Sequence, residues 1–139
     1  MDNTKKKILV IDDNPDIGYL VERAFEGSEF VVYKATCGKE GINLAQEYKV
    51  DIILLDIMMP ELDGFTVNAY LKMIPATENI PIIFLTARST SSGRMIASKA
   101  GAVDYIMKPF SPKELVRRLN HYRLKAGRFL FRLKVGSSG

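Results

Sequence analysis

Strand and helix patterns alternate along this chain, and the alternation predicts an α/β domain with a parallel sheet and helices on both faces. Two observations carry that reading. Five short apolar runs recur along the sequence, each followed by a helical pattern, with short connections between them. The third run, Ile52 to Leu55, is apolar at consecutive positions, as expected of a strand covered on both faces.

The elements follow in order. Lys7 to Ile11 reads as the first strand. Ile17, Leu20, Val21 and Ala24 keep the i, i+3, i+4, i+7 spacing of an amphipathic helix, with Pro15 near its start. Phe30 to Ala35 is rich in β-branched and aromatic residues and reads as the second strand. Gly41, Leu44, Ala45 and Tyr48 mark the second helix. After the third strand, Val67, Tyr70, Leu71 and Ile74 mark a third helix, which Pro75 ends. Ile82 to Leu85 is the fourth strand, with Pro81 tolerated at its start. Arg88 to Ala100 is Ser-rich and holds Gly93, so it reads as a marginal fourth helix that shifts cheaply. Val103 to Met107 is the fifth strand. Ser111 and Pro112, a good cap and a good first helical residue, open the last helix.

The tail reads two ways. Leu115, Leu119, Tyr122, Ala126, Phe129 and Leu133 keep near-helical spacing, at a cost of ~1 kcal/mol for Gly127. Alternatively Gly127 stops the helix, and Phe129, Phe131, Leu133 and Val135 alternate as a strand. Residues 1–125 are expected to form the domain. Residues 126–139 are expected to be a basic tail, a linker or the start of an output segment.

Bulk properties narrow the function. A chain of 139 residues suits one domain and needs no covalent staple. Its single cysteine, Cys37, permits no internal disulfide and fits a reducing, cytoplasmic compartment. We read Cys37 as a small, half-buried residue without a catalytic role. Lys5, Lys6 and Lys7 precede an apolar run too short for a signal peptide, and no stretch approaches the ~20 apolar residues of a membrane span. From Lys113 onward there are eight Lys and Arg against Glu114, a net +7, whereas the remainder is net −3. A basic tail is more often a solvated helix face or linker than a nucleic-acid surface, and no reading element accompanies it.

The chemistry gathers at strand ends. Open parallel sheets bind ligands outside the carboxyl ends of their strands, where strand order reverses. The first strand ends in Asp12 and Asp13, the third in Asp56, the fourth in Thr86 and the fifth in Lys108. If the first and third strands are neighbours, three carboxylates share one crevice with a hydroxyl and an ammonium at its rim. Such a set raises one pKa unless a cation intervenes, and an all-oxygen pocket suits Mg²⁺. Asp56 can then attack phosphorus in line and form an acyl phosphate. Lys108 would neutralise phosphoryl charge, Thr86 would donate to a phosphoryl oxygen, and the small Ala87 would leave the approach open.

Taken singly, each residue has an ordinary explanation. Asp12 and Asp13 suit a helix cap and a surface acid, Asp56 a strand-end acid, Thr86 a satisfied hydroxyl, Lys108 a solvated ammonium and Tyr105 half-buried packing. His121, the only histidine, is given no role. The coincidence of five such residues at strand ends lifts the set.

The segments ILVIDD (8–13), DIILLDIMMPELDG (51–64), PIIFLTA (81–87) and GAVDYIMKPF (101–110) together resemble the response-regulator receiver domains of two-component signalling, roughly from Lys7 to Lys125. The resemblance implies a flavodoxin-like doubly wound sheet of strand order 2-1-3-4-5. It implies that Asp56 is phosphorylated and that Asp13, Asp56 and the Met58 carbonyl ligate Mg²⁺, with Asp12 assisting. It implies that Lys108 and Thr86 contact the phosphoryl group and that Lys108–Pro109 is cis. On activation Thr86 moves and Tyr105 turns inward, remodelling the face of the fourth helix, fifth strand and fifth helix. Met58 and Arg88 occupy positions that tune water access to the acyl phosphate. Implied partners are a sensor histidine kinase or phosphotransfer protein and a second copy through that face, with nucleic acid reached only through a separate output domain. The domain would not be an enzyme beyond slow self-dephosphorylation.

Other readings fit less well. A haloacid-dehalogenase-type phosphatase needs a DxD arrangement, and this chain has Asp12-Asp13-Asn14. A flavodoxin-type cofactor loop needs hydroxyls and backbone donors there, and a dinucleotide site needs G-x-G-x-x-G. A docking module without phosphotransfer is the remaining alternative, and the intact acidic set argues against it.

Overall fold

The computed structural model describes residues 6–87 and 100–122. Five parallel strands form one sheet in the order β2-β1-β3-β4-β5. They are β1 (Lys6–Ile11), β2 (Phe30–Ala35), β3 (Ile52–Asp56), β4 (Ile82–Thr86) and β5 (Asp104–Met107). Helices α1 (Pro15–Ala24), α2 (Gly38–Tyr48) and α3 (Gly64–Met73) connect the first four strands. A further helix, α4, covers residues 112–122. The predicted fourth helix over 88–100 falls almost wholly outside the described residues, as does the tail from 123 onward. No helix among the described residues is long and apolar enough to cross a membrane.

The consecutive apolar residues of the inner strands have a simple cause. Side chains alternate between sheet faces, so a strand covered on both sides must be apolar at every position. Ile8, Val10, Ile52, Leu54, Ile83, Leu85 and Ile106 pack with Val21 of α1, with Phe25 just after it, and with Leu115 and Leu119 of α4. Leu9, Ile11, Ile53, Leu55, Ile82 and Phe84 pack on the other face with Ala45 of α2 and with Val67 and Leu71 of α3. Each fully buried aliphatic side chain contributes about 2 kcal/mol of transfer free energy. That double burial holds the strand ends, and whatever side chains they carry, in fixed register.

The helices begin where their caps dictate. Asn14 accepts from the Asp16 N–H at 3.0 Å, and Pro15 opens α1. Asp63 accepts from the Thr66 N–H at 2.8 Å to start α3. Ser111 accepts from the Glu114 N–H at 3.0 Å to start α4, as its sequence predicts. One expectation needs correction. Cys37 is exposed, not half-buried, because it stands just ahead of α2.

Candidate functional site

Strand register gathers the predicted residues. β1 and β3 are hydrogen-bonded neighbours with Ile11 opposite Leu55, so the next residues, Asp12 and Asp56, emerge side by side. Asp56 pairs with Leu85 of β4, and Thr86 pairs with Met107 of β5. The Lys108 N–H donates to the Thr86 carbonyl at 2.7 Å, which fixes the backbone that carries the lysine. The strand order reverses between β1 and β3, so the site lies at the switch point that open α/β sheets use for ligands.

The carboxylates are buried together. Asp12 is 2% exposed and Asp56 4%, while Asp13 lies at the surface. Ligand oxygens from the three acids lie within 4.8 Å of one another. Lys108 Nζ sits 2.7 Å from Asp12 Oδ2 and 3.2 Å from Asp56 Oδ1. Asp12 Oδ1 accepts from the Asn14 N–H at 3.0 Å. Asp12 Oδ2 receives no well-aligned hydrogen bond, for the ammonium approaches it off the bonding direction.

One ammonium cannot balance this cluster. Burial, with the neighbouring Asp12 charge added to it, pushes the Asp56 carboxyl up to about 6 against the pull of Lys108. Burial also opposes the Lys108 ammonium, but Asp12 and Asp56 outweigh it and raise its pKa. A crowded, all-oxygen set with an under-satisfied buried carboxylate oxygen and one exposed acid fits a hard divalent cation such as Mg²⁺.

The remaining candidates flank the acids. Thr86 is half-buried at the end of β4, with exposed Ala87 after it. Met58, two residues beyond Asp56, is 74% exposed, whereas Met59 is buried. Tyr105 is half-buried on β5 and packs against the α2–α3 layer. The Lys108–Pro109 peptide is cis, as the resemblance implies. His121 is exposed on α4, edge-on to Tyr122 and away from the acids. Arg88 lies outside the described residues.

Sequence reasoning missed two features. Asn14 both caps α1 and donates its N–H to Asp12; the Asn-Pro pair after the acids was the available signal. The second is an Arg118–Asp104 ion pair, with the Arg118 guanidinium also donating to the Tyr105 carbonyl at 3.0 Å. Residues 14 positions apart on a strand and a helix carry no sequence signal for such a pair.

A profile described as the response regulator receiver domain matches residues 8–120. The response regulator SaeR of Staphylococcus epidermidis is 42% identical over 114 residues, covering 82% of this chain and 48% of the relative. The probable transcriptional regulator ycf27 of Guillardia theta is 36% identical over 136 residues, covering 98% of this chain and 52% of the relative. The chain thus spans about half the length of these curated relatives. The receiver domain of the Francisella response regulator 1452 superposes with a TM-score of 0.79 at 33% identity, covering 88% of this chain and 99% of that one.

Proposed function

The chain belongs to the response-regulator receiver family of two-component systems, and we propose that it accepts a phosphoryl group on Asp56 and signals by a change of surface. The carrying observation is the buried Asp12–Asp56 pair at adjacent strand ends with Lys108 between them, 2.7 and 3.2 Å away.

The donor is a phosphohistidine of a sensor kinase or phosphotransfer protein, or a small acyl phosphate. An Asp56 carboxylate oxygen attacks phosphorus, the bond from phosphorus to the donor breaks, and an acyl phosphate forms. Asp13, Asp56 and the Met58 carbonyl would hold Mg²⁺, with Asp12 assisting. When bound, the cation supplies charge that offsets the meeting of an anionic donor and an anionic nucleophile. Burial first and the Asp12 charge second disfavour the ionised Asp56 carboxylate, and a bound cation would offset both. Lys108 already lies beside the Asp56 oxygen, so its ammonium takes up charge on the phosphoryl oxygens. Thr86 donates its hydroxyl to one of them.

The signal leaves through β5. Thr86 shifts toward the phosphoryl group, Tyr105 turns inward, and the face of residues 88–100, β5 and α4 is remodelled for a partner or a second copy. Physically this is a local charge event that biases a two-state element. Relatives named as regulators are about twice as long, which supports residues 1–125 as the receiver and 126–139 as a linker or the start of an output segment. Nucleic acid would be reached only through such an output. The reading places the protein in the cytoplasm and expects no turnover beyond slow self-dephosphorylation.

Intact mass after incubation with Mg²⁺ and a small acyl-phosphate donor tests the proposal. The expected result is a gain of one phosphoryl group that requires Mg²⁺ and is absent in Asp56→Asn. A folded wild-type chain that gains nothing from any donor would instead be a docking module, with Asp56 a structural acid.

A further inference from the structure

Residues 57–63 carry the chain from Asp56 to α3, and Gly64 closes that loop. The Gly64 N–H donates to the Ile57 carbonyl at 2.8 Å. Its Cα is pressed against the last peptide of β3. A Cβ there would overlap the Asp56 carbonyl oxygen and lie 2.8 Å from Ile57 Cα and 3.0 Å from the Asp56 carbonyl carbon. All three are backbone atoms, so no rotamer change clears the space. The constraint is room rather than conformation, since Gly64 is the first residue of α3.

The far side of the loop leans on α2. A Cβ on Gly38 would come 2.5 Å from Val67 Cγ2 and 3.2 Å from Leu62 Cβ. Val67 is fully buried, and Leu62 packs against the same layer. Two glycines therefore hold the loop, one against the Asp56 backbone and one against α2.

We infer that Gly64 is a positioning residue for cation binding at the acidic site, with Gly38 supporting the same loop from α2. The inference rests on the reading that Asp56, Asp13 and the Met58 carbonyl hold Mg²⁺. Carbon atoms in contact sit ~3.5–4.0 Å apart. Gly64→Ala must therefore move the Asp56–Ile57 peptide or the start of α3 by roughly 1 Å. The same peptide leads to Met58, so the Asp56 carboxylate and the Met58 carbonyl lose their mutual placement. Mg²⁺ requires near-ideal octahedral geometry at ~2.0–2.1 Å and does not absorb such a shift.

Calorimetric titration of Mg²⁺ into the full chain tests this, with circular dichroism to establish folding. Gly64→Ala should weaken Mg²⁺ binding roughly tenfold or more, the scale of loss that follows ~1 Å misplacements. Gly38→Ala should weaken it less, by roughly two- to fivefold, because Leu62 and Val67 can yield in part. Gly27→Ala is the control for stability alone. Gly27 has φ +79° with nothing within 4 Å of a Cβ, so the variant loses stability and keeps wild-type Mg²⁺ affinity. A folded Gly64→Ala chain with wild-type affinity overturns the inference, as does an equal loss in Gly27→Ala. If Gly64→Ala does not fold, an unchanged affinity in Gly38→Ala overturns it. A wild-type chain that neither binds Mg²⁺ nor gains a phosphoryl group overturns the parent reading as well. Binding and phosphorylation in the wild type, with undiminished affinity in the variants, overturn this inference alone.

Discussion

Lys108 and Asp12 form an ion pair of 2.7 Å in which the carboxylate side chain is 1% exposed and the lysine side chain 22%. The same ammonium lies 3.2 Å from Asp56. Removing one partner of a buried pair leaves an uncompensated charge, which costs more than the pair itself contributes. Lys108→Met should therefore lower the stability of the Mg²⁺-free chain by about 1–3 kcal/mol. Added Mg²⁺ should restore much of that loss, because a bound cation replaces the missing charge and binding to the native state stabilises by mass action. Phosphorylation should still fall at least tenfold, as the phosphoryl oxygens lose their ammonium. Melting temperature with and without Mg²⁺ reads the first effect. A variant whose loss is identical in both conditions contradicts it.

Asp56 makes the opposite case, a group that weakens the fold it sits in. Its carboxyl is raised from 3.8 to about 6, by burial first and Asp12 second. Between those values the folded chain binds a proton that the unfolded chain releases. Stability therefore falls as pH rises through that window and levels off above about 6. At ~1.4 kcal/mol per pH unit the full cost at neutral pH is about 3 kcal/mol. Asp56→Asn removes it, so the variant should be more stable than the wild type near pH 7 by about 1–3 kcal/mol. The difference should shrink toward pH 4. Urea unfolding of both chains at the two pH values checks the sign, and a variant less stable at neutral pH refutes it. Mg²⁺ should narrow the gap by stabilising the wild type.

Much of this was legible in the sequence, for reasons that differ by residue. Ile52 to Leu55 announced a strand buried on both faces because no other element needs four consecutive branched apolar side chains. Asp12, Asp56, Thr86 and Lys108 were legible as a site because each ends a strand, and strand ends are fixed by register. Ser111 and Pro112 announced α4 through local cap chemistry. What escaped depends on non-local contact. Asn14 follows two acids that carry the stronger signal, and the close approach of Gly64 to the Asp56 carbonyl is a contact that neighbouring residue types do not encode. Cys37 is exposed at the position just ahead of α2, which burial propensity for cysteine does not report.

The C-terminus of α3 gives a prediction about the scaffold alone. Thr77 is fully buried, and its hydroxyl donates to the Leu71 carbonyl at 2.7 Å. A second approach, to the Ile74 carbonyl, is 3.3 Å. The Ile74 carbonyl also accepts from the Thr77 and Glu78 N–H groups, whereas the Leu71 carbonyl has, besides the hydroxyl, a 3.4 Å bond from the Ile74 N–H. Thr77→Val keeps the volume and removes the donor, leaving the Leu71 carbonyl with only the longer bond from the Ile74 N–H. The expected cost is about 1–2 kcal/mol, with phosphorylation by a small donor unchanged. Chemical denaturation and intact mass together check both halves.

The α4–β5 contact makes the last prediction, on the face through which the signal is proposed to leave. Tyr122 donates its hydroxyl to the Val103 carbonyl at 3.3 Å. Burial, then Asp104, pushes that phenol up to about 12. Asp104 in turn raises the pKa of Arg118, with which it pairs. A phenol whose folded pKa exceeds its unfolded value of 10 favours folding below pH 10, and the benefit is lost as pH rises through about 12. Tyrosinate absorbance should therefore show one late step that disappears in Tyr122→Phe. Asp104→Asn should move that step toward lower pH without abolishing it, since burial is the larger cause. The same substitution frees Arg118 from its carboxylate and leaves its guanidinium only the bond to the Tyr105 carbonyl on β5. Amide exchange in β5 should then quicken relative to β1 and β3. An unmoved tyrosine step would mean that Asp104 does not govern this contact, and unaltered exchange in β5 would mean that the Arg118 pair does not secure the strand.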